Sequence, residues 1–173
     1  MEHYLCKYRY LDHIEDKGVE SIKKYIKTCG IGTIIALILL LTIGCSVTHA
    51  VKTSSTRSLT TELKEEVPAI KQVAYTFTRP NLTITINLKD NLSEEAEASV
   101  VDKVKQFSTD ETNISEIAES VNWNSEISNI YLIIEHASEA SSLRYSARYF
   151  KTYDASNTSE ENIDGYQTWS KFE

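Results

Sequence analysis

The chain has 173 residues, 41% hydrophobic and 25% charged, with five Gly and two Pro. That composition excludes a collagen-like, wholly disordered or polytopic chain. The net charge of -7 divides into +1 through Cys45 and -8 beyond it. An acidic C-terminal part argues against nucleic acid as its partner, because phosphate binding needs a surplus of basic side chains.

Met1 to Gly18 mixes both charge signs with three Tyr and does not read as the n-region of a signal peptide. Residues 1–27 are expected to be a cytoplasmic tail, or to include an extension upstream of the true start. A start at Val19 would lead directly through Lys23, Lys24 and Lys27 into an apolar run, the normal layout of an export signal. From Thr28 to Val51 there is no Asp, Glu, Lys or Arg, and Ile31 to Ile43 is almost continuously apolar. About 20 such residues span a bilayer core, whereas a buried core helix normally keeps a polar face. Residues 28–50 are therefore expected to be a transmembrane helix or the h-region of a signal. The lysines on the N-terminal edge place that end in the cytoplasm and residues beyond about 50 outside. The expected location is the cell membrane, with one anchor and an extracytoplasmic C-terminal domain.

Leu41-Thr42-Ile43-Gly44-Cys45-Ser46 resembles the lipobox of bacterial lipoproteins: a small residue directly before a Cys, after an apolar run and a basic segment. The resemblance implies cleavage between Gly44 and Cys45 and diacylation of Cys45. Two acyl chains hold a protein on a membrane stably where one does so only marginally. Thr42 departs from the Leu that the family prefers, and Cys45 stands late in the chain. The alternative is an uncleaved signal anchor in which Cys45 is a small apolar residue near the outer interface. Cys6, Cys29 and Cys45 all lie within the first 45 residues. The remainder thus has no thiol to oxidise, which suits an oxidising compartment.

Nine of the sixteen residues from Ser46 to Thr61 are Ser or Thr, so residues 51–71 are expected to be a Ser/Thr-rich tether, with a short helix from Glu62 interrupted at Pro68. The folded domain is expected over 72–173. Val73, Tyr75 and Phe77, then Leu82, Ile84, Ile86 and Leu88, recur at strand period on either side of Arg79-Pro80-Asn81, which predicts an antiparallel hairpin. Ser93 with Glu94, Glu95 and Glu97 reads as a helix start, followed by Val100, Val104 and Phe107 on one face. Ile114, Ile117, Ala118 and Val121 suggest a second helix. Ile130 to Ile134 predicts a strand lying centrally or covered on both faces, and Leu143, Tyr145, Ala147 and Tyr149 a fourth strand. Thr158 with Glu161 resembles a capping box for a terminal helix carrying Ile163, Tyr166 and Trp169. The class is α+β: an N-terminal hydrophobic helix, then a two-layer domain with a four-stranded antiparallel sheet and helices on one face.

Signatures of catalysis are missing. There is no Gly-rich phosphate loop, nucleophile elbow or H-E-x-x-H, and only His49 and His136 follow the apolar run, so no metal and no cofactor are expected. Glu94, Glu95 and Glu97 are explained as helix-start carboxylates. Arg144 and Arg148 share one strand face, suiting either an anionic ligand or protection of an edge. The aromatic C-terminus suits either a binding surface or closure of the core. The function expected is a membrane-anchored extracytoplasmic binding module of the cell envelope, with a possible envelope protein as partner. The alternative is a bitopic subunit of a conjugation or secretion complex, an analogy of topology alone.

Overall fold

Strands with alternating apolar side chains must hide one face, and six of them do so together. The computed structural model describes residues 47–136, 142–154 and 156–172. Its strands are β1 (Thr48–Ala50), β2 (Ile70–Thr78), β3 (Asn81–Leu88), β4 (Asn129–Glu135), β5 (Ser142–Arg148) and β6 (Trp169–Phe172), lying side by side in chain order. Every neighbouring pair is antiparallel except β3 and β4, which are parallel. Three helices, α1 (Ser54–Glu66), α2 (Glu94–Thr109) and α3 (Glu111–Ser120), complete an α+β fold.

Leu82, Ile84, Ile86 and Leu88 of β3 are buried with Ile130, Leu132 and Ile134 of β4 and Val100, Val104 and Phe107 of α2. Burying one such side chain contributes roughly 1.5–3 kcal/mol, whereas intrinsic β propensities span only about 1 kcal/mol. The apolar rows therefore set the register. A one-residue slip of β3 would exchange four buried aliphatic residues for Thr83, Thr85 and Asn87. The hairpin turns at Arg79-Pro80, through a cis peptide bond. Ser93 caps α2, its hydroxyl accepting from the Ala96 amide at 3.3 Å, as its position before three glutamates implies.

Three expectations are corrected. The sheet has six strands and is mixed, because the α2–α3 pair carries the chain back across the core before β4 begins. Two helices in the connection make a parallel pairing possible, where a tight turn would permit only an antiparallel one. β4 is central, with Tyr131 and Ile133 half-buried on the opposite face from Ile130, Leu132 and Ile134.

The Ser/Thr stretch does not read as a tether in the structure. β1 adds an edge to the sheet, and α1 packs on β2, α2 and α3, burying Thr56, Leu59 and Leu63. Thr53 starts α1 with a capping box: its hydroxyl accepts from the Thr56 amide at 3.2 Å, and its own amide donates to Thr56 Oγ1 at 2.9 Å. Residues 46–173 form one compact unit, so the domain begins well before residue 72. Thr48–Ala50, expected within the apolar segment 28–50, form β1.

The terminal helix expected from Thr158 is instead a single 3₁₀ turn at Glu160–Asn162 followed by β6. Gly165 and Tyr166 both have left-handed backbone, with φ of 58° and 62°. Consecutive left-handed residues end any helix, and the amides of Asp164 and Gly165 donate to the Tyr149 carbonyl at 2.8 and 3.0 Å. The N-terminal hydrophobic helix expected from the sequence falls on residues outside those described. No described helix is long and apolar enough to cross a membrane.

Candidate functional site

Because all three helices share one core with a single face of the sheet, the other face carries no layer among the described residues. Register organises it into cross-strand rows. One row runs Thr48, Thr78, Asn81, Asn129, Arg148. There Thr48 and Thr78 hydroxyls lie 2.8 Å apart, and Asn129 Nδ2 donates to Asn81 Oδ1 at 2.8 Å. The next runs Ala50, Thr76, Thr83, Tyr131, Ser146, Ser170, and the third Ala74, Thr85, Ile133, Arg144, Phe172. Tyr131 and Phe172 meet edge to face, with centroids 6.0 Å apart. The result is a surface of mostly small residues with Tyr131, Ile133 and Phe172 toward one side and two arginines on β5. Alternation that puts Leu or Ile on the core face necessarily puts Thr, Tyr and Arg on this one.

Arg144 and Arg148 are both on this open face, but β5 is not an edge, since β6 covers it. Protection of an edge strand therefore does not explain them. Arg144 Nε donates to Ser142 Oγ at 2.9 Å. The Arg148 guanidinium lies 4.0 Å over the Tyr153 ring and hydrogen-bonds its hydroxyl. A groove of about 510 Å³ beside Arg148 is lined also by Phe150, Lys151, Asp164, Thr168 and Ser170.

On the core side a second cluster joins α2 to β5 and β6. The Tyr145 hydroxyl donates to Glu97, and Lys171 Nζ lies 3.0 Å from the same carboxylate. Partial burial pulls the Glu97 carboxyl up, but the Tyr145 hydroxyl and Lys171 ammonium outweigh it and hold the group below its usual range. Burial, then the Glu97 carboxylate, pushes Tyr145 up, which makes it a poorer base or nucleophile at neutral pH. Glu97 is thus more than a helix-start carboxylate: it is the acceptor that ties the C-terminal strand to α2. Glu94 and Glu95 remain exposed in the first turn. His136 Nδ1 lies 3.2 Å from Asn91 Oδ1, beyond the end of β4.

The aromatic C-terminus divides between roles. The Tyr166 ring is buried and its hydroxyl donates to the Ile127 carbonyl at 2.5 Å, with burial raising its pKa strongly. Tyr149 and Phe150 stack edge to face at 4.9 Å. Tyr153 instead stands in solvent. Among the described residues no three His, Cys, Asp or Glu side chains converge as a metal site would need. Cys45 and Gly44, the expected lipidation and cleavage positions, lie outside the described residues. The ordering of the open face by register was not visible in the sequence, because the parallel β3–β4 pairing determines which residues share a row. Comparison with protein-family models, characterised proteins and solved structures yields no match to this chain.

Proposed function

We propose that the protein is a membrane-anchored, extracytoplasmic interaction module of the bacterial cell envelope, a lipoprotein held through Cys45. The observation that carries this reading is the junction near residue 47. An uncharged apolar run with lysines on its cytoplasmic side ends where a Cys-free folded domain starts. The 20 residues from Thr28 to Val47 are long enough for a span, and the lipobox-like sequence closes within them. The domain's own contribution supports binding rather than catalysis: an open face of the six-stranded sheet with Arg144, Arg148, Tyr131 and Phe172 suits an extended surface of another macromolecule. Its titratable cluster at Glu97 is consumed in linking elements.

Changing Cys45→Ala tests the lipoprotein. Fatty-acid labelling of the wild type should vanish in the mutant, and the mutant should run as a longer precursor still held by its apolar segment. Wild type that takes no label would overturn it. A second reading, a bitopic subunit of an envelope conjugation or secretion complex with an uncleaved anchor, is favoured by Met1 to Gly18, whose mixed charges fit a tail better than a signal n-region. It predicts that Cys45→Ala changes neither size nor membrane association.

A further inference from the structure

The anchor and the folded domain are nearly contiguous. Val47 is two residues from Cys45, a reach of about 7 Å even when fully extended. Thr48 begins β1 opposite Thr78, so the chain enters the sheet at the end that also holds the Arg79-Pro80 turn and the start of β4 and finish of β5. The opposite end, with Leu88, Lys89, Asp90 and Glu135, lies about 23 Å away along the seven residue steps of β3.

Large apolar side chains left in water concentrate at the entry end. Among the described residues Val47 is 60% exposed and Tyr153 85%, while Phe172, level with Thr85 midway along the strands, is 38% exposed. Tyr153 is presented by Arg148, whose guanidinium backs its ring at 4.0 Å and bonds its hydroxyl. On the same end Arg79 lies 5.6 Å over Trp123. Tyr and Trp rings with a polar tip partition to the membrane interface, where an apolar body and a wet edge are both satisfied.

We infer that this end of the sheet, through Val47 and Tyr153, rests on the bilayer interface, with the strands directed away from the membrane and the far end in water. The inference rests on the anchor reading, and holds for a cleaved lipoprotein and an uncleaved span alike. Arg148 and Lys151 beside Tyr153 are offset by Asp154, Glu160 and Glu161 in the loop and the 3₁₀ turn that follows it, so this segment carries no surplus of positive charge and the contact is aromatic and interfacial rather than an attraction to anionic lipid.

The test uses full-length protein purified from its host membrane and reconstituted into phosphatidylcholine vesicles doped with a headgroup nitroxide lipid. Trp123→Phe and Trp169→Phe remove both native tryptophans. A single reporter is then introduced by Tyr153→Trp or, at the far end, by Asp90→Trp. Thermal melts confirm folding; if the double replacement does not fold, Tyr153→Trp and Asp90→Trp are each measured as increments over wild type. The nitroxide should at least halve emission from position 153 and leave position 90 unchanged. Adding phosphatidylglycerol should not alter that contrast. Equal, weak quenching at both positions in protein that floats with vesicles would overturn this orientation while leaving the anchor intact. Quenching at 153 that appears only with the anionic lipid would overturn the aromatic contact. Failure to float would remove the anchor reading and this inference with it.

Discussion

Glu116 of α3 caps the first turn of α1 from across the chain: its carboxylate accepts from the Ser54 amide at 3.0 Å and from the Ser54 hydroxyl, and also from the Ser55 amide at 3.0 Å. A helix N-terminus leaves its first amides unpaired and carries partial positive charge, so an acceptor from another element serves both needs. This contact, 62 residues away in sequence, helps make a folded helix of a stretch whose composition resembles a linker.

The Ser54 hydroxyl foremost, then the Ser55 hydroxyl and the two amides, lower the Glu116 pKa to about 2. A depressed folded-state value means that the contribution is complete above the ordinary carboxylate range and is lost as pH falls toward 2. Glu116→Gln should lower the melting temperature at pH 7, and the gap from wild type should narrow between about pH 4.5 and 2. Melts across that range check it; a gap independent of pH would show that the charge does not act here.

Leu63 is fully buried beneath α1. Leu63→Ala should cost about 2–5 kcal/mol, the usual range for a buried leucine that leaves a cavity, read from urea midpoints. In a solvated tether the same change would cost nothing.

Ile84 and Thr85 are consecutive on β3 and face opposite ways, toward the helices and toward the open face. Ile84→Ala should cost about 2–5 kcal/mol, whereas Thr85→Ala should stay within roughly 1 kcal/mol, the span of β propensity. Chemical denaturation of both mutants tests the register; the reverse order would mean that the core lies on the other side of the sheet.

Gly165 has φ of 58°, and a Cβ there would meet nothing closer than Ile163 Cγ2 at 4.0 Å. Gly165→Ala should therefore cost about 1–2 kcal/mol through backbone conformation alone. Tyr166→Phe leaves the Ile127 carbonyl without its donor and should cost roughly 1–3 kcal/mol if no water replaces it. Both are read from equilibrium unfolding.

What the sequence made legible follows the range of the determining interaction. Leu82, Ile84, Ile86 and Leu88, and Ser93 with its following glutamates, announce themselves because strand period and caps are local. Only the last turn of α1 is legible, as the short helix expected from Glu62; its start at Ser54 is hidden because a Ser/Thr count masks the Thr53–Thr56 capping box and the Thr56, Leu59, Leu63 spacing, and because its Glu116 partner is remote. The terminal helix was misread because Thr158 and Glu161 outweighed Asp164-Gly165, a turn dipeptide whose glycine takes the left-handed backbone. The open-face rows depend on parallel β3–β4 pairing, which no local pattern encodes. Arg148 and Tyr153 were visible as residue types, but their stacking required the fold.

In the proposed lipoprotein the folded domain joins, at residue 47, a membrane anchor that closes at Cys45. The mass of the membrane-bound protein from its native host tests it most directly. The expected result is a chain beginning at Cys45 and heavier than its residues by a diacylglyceryl group. A membrane-bound chain that retains the residues before Cys45 and carries no added mass would contradict it.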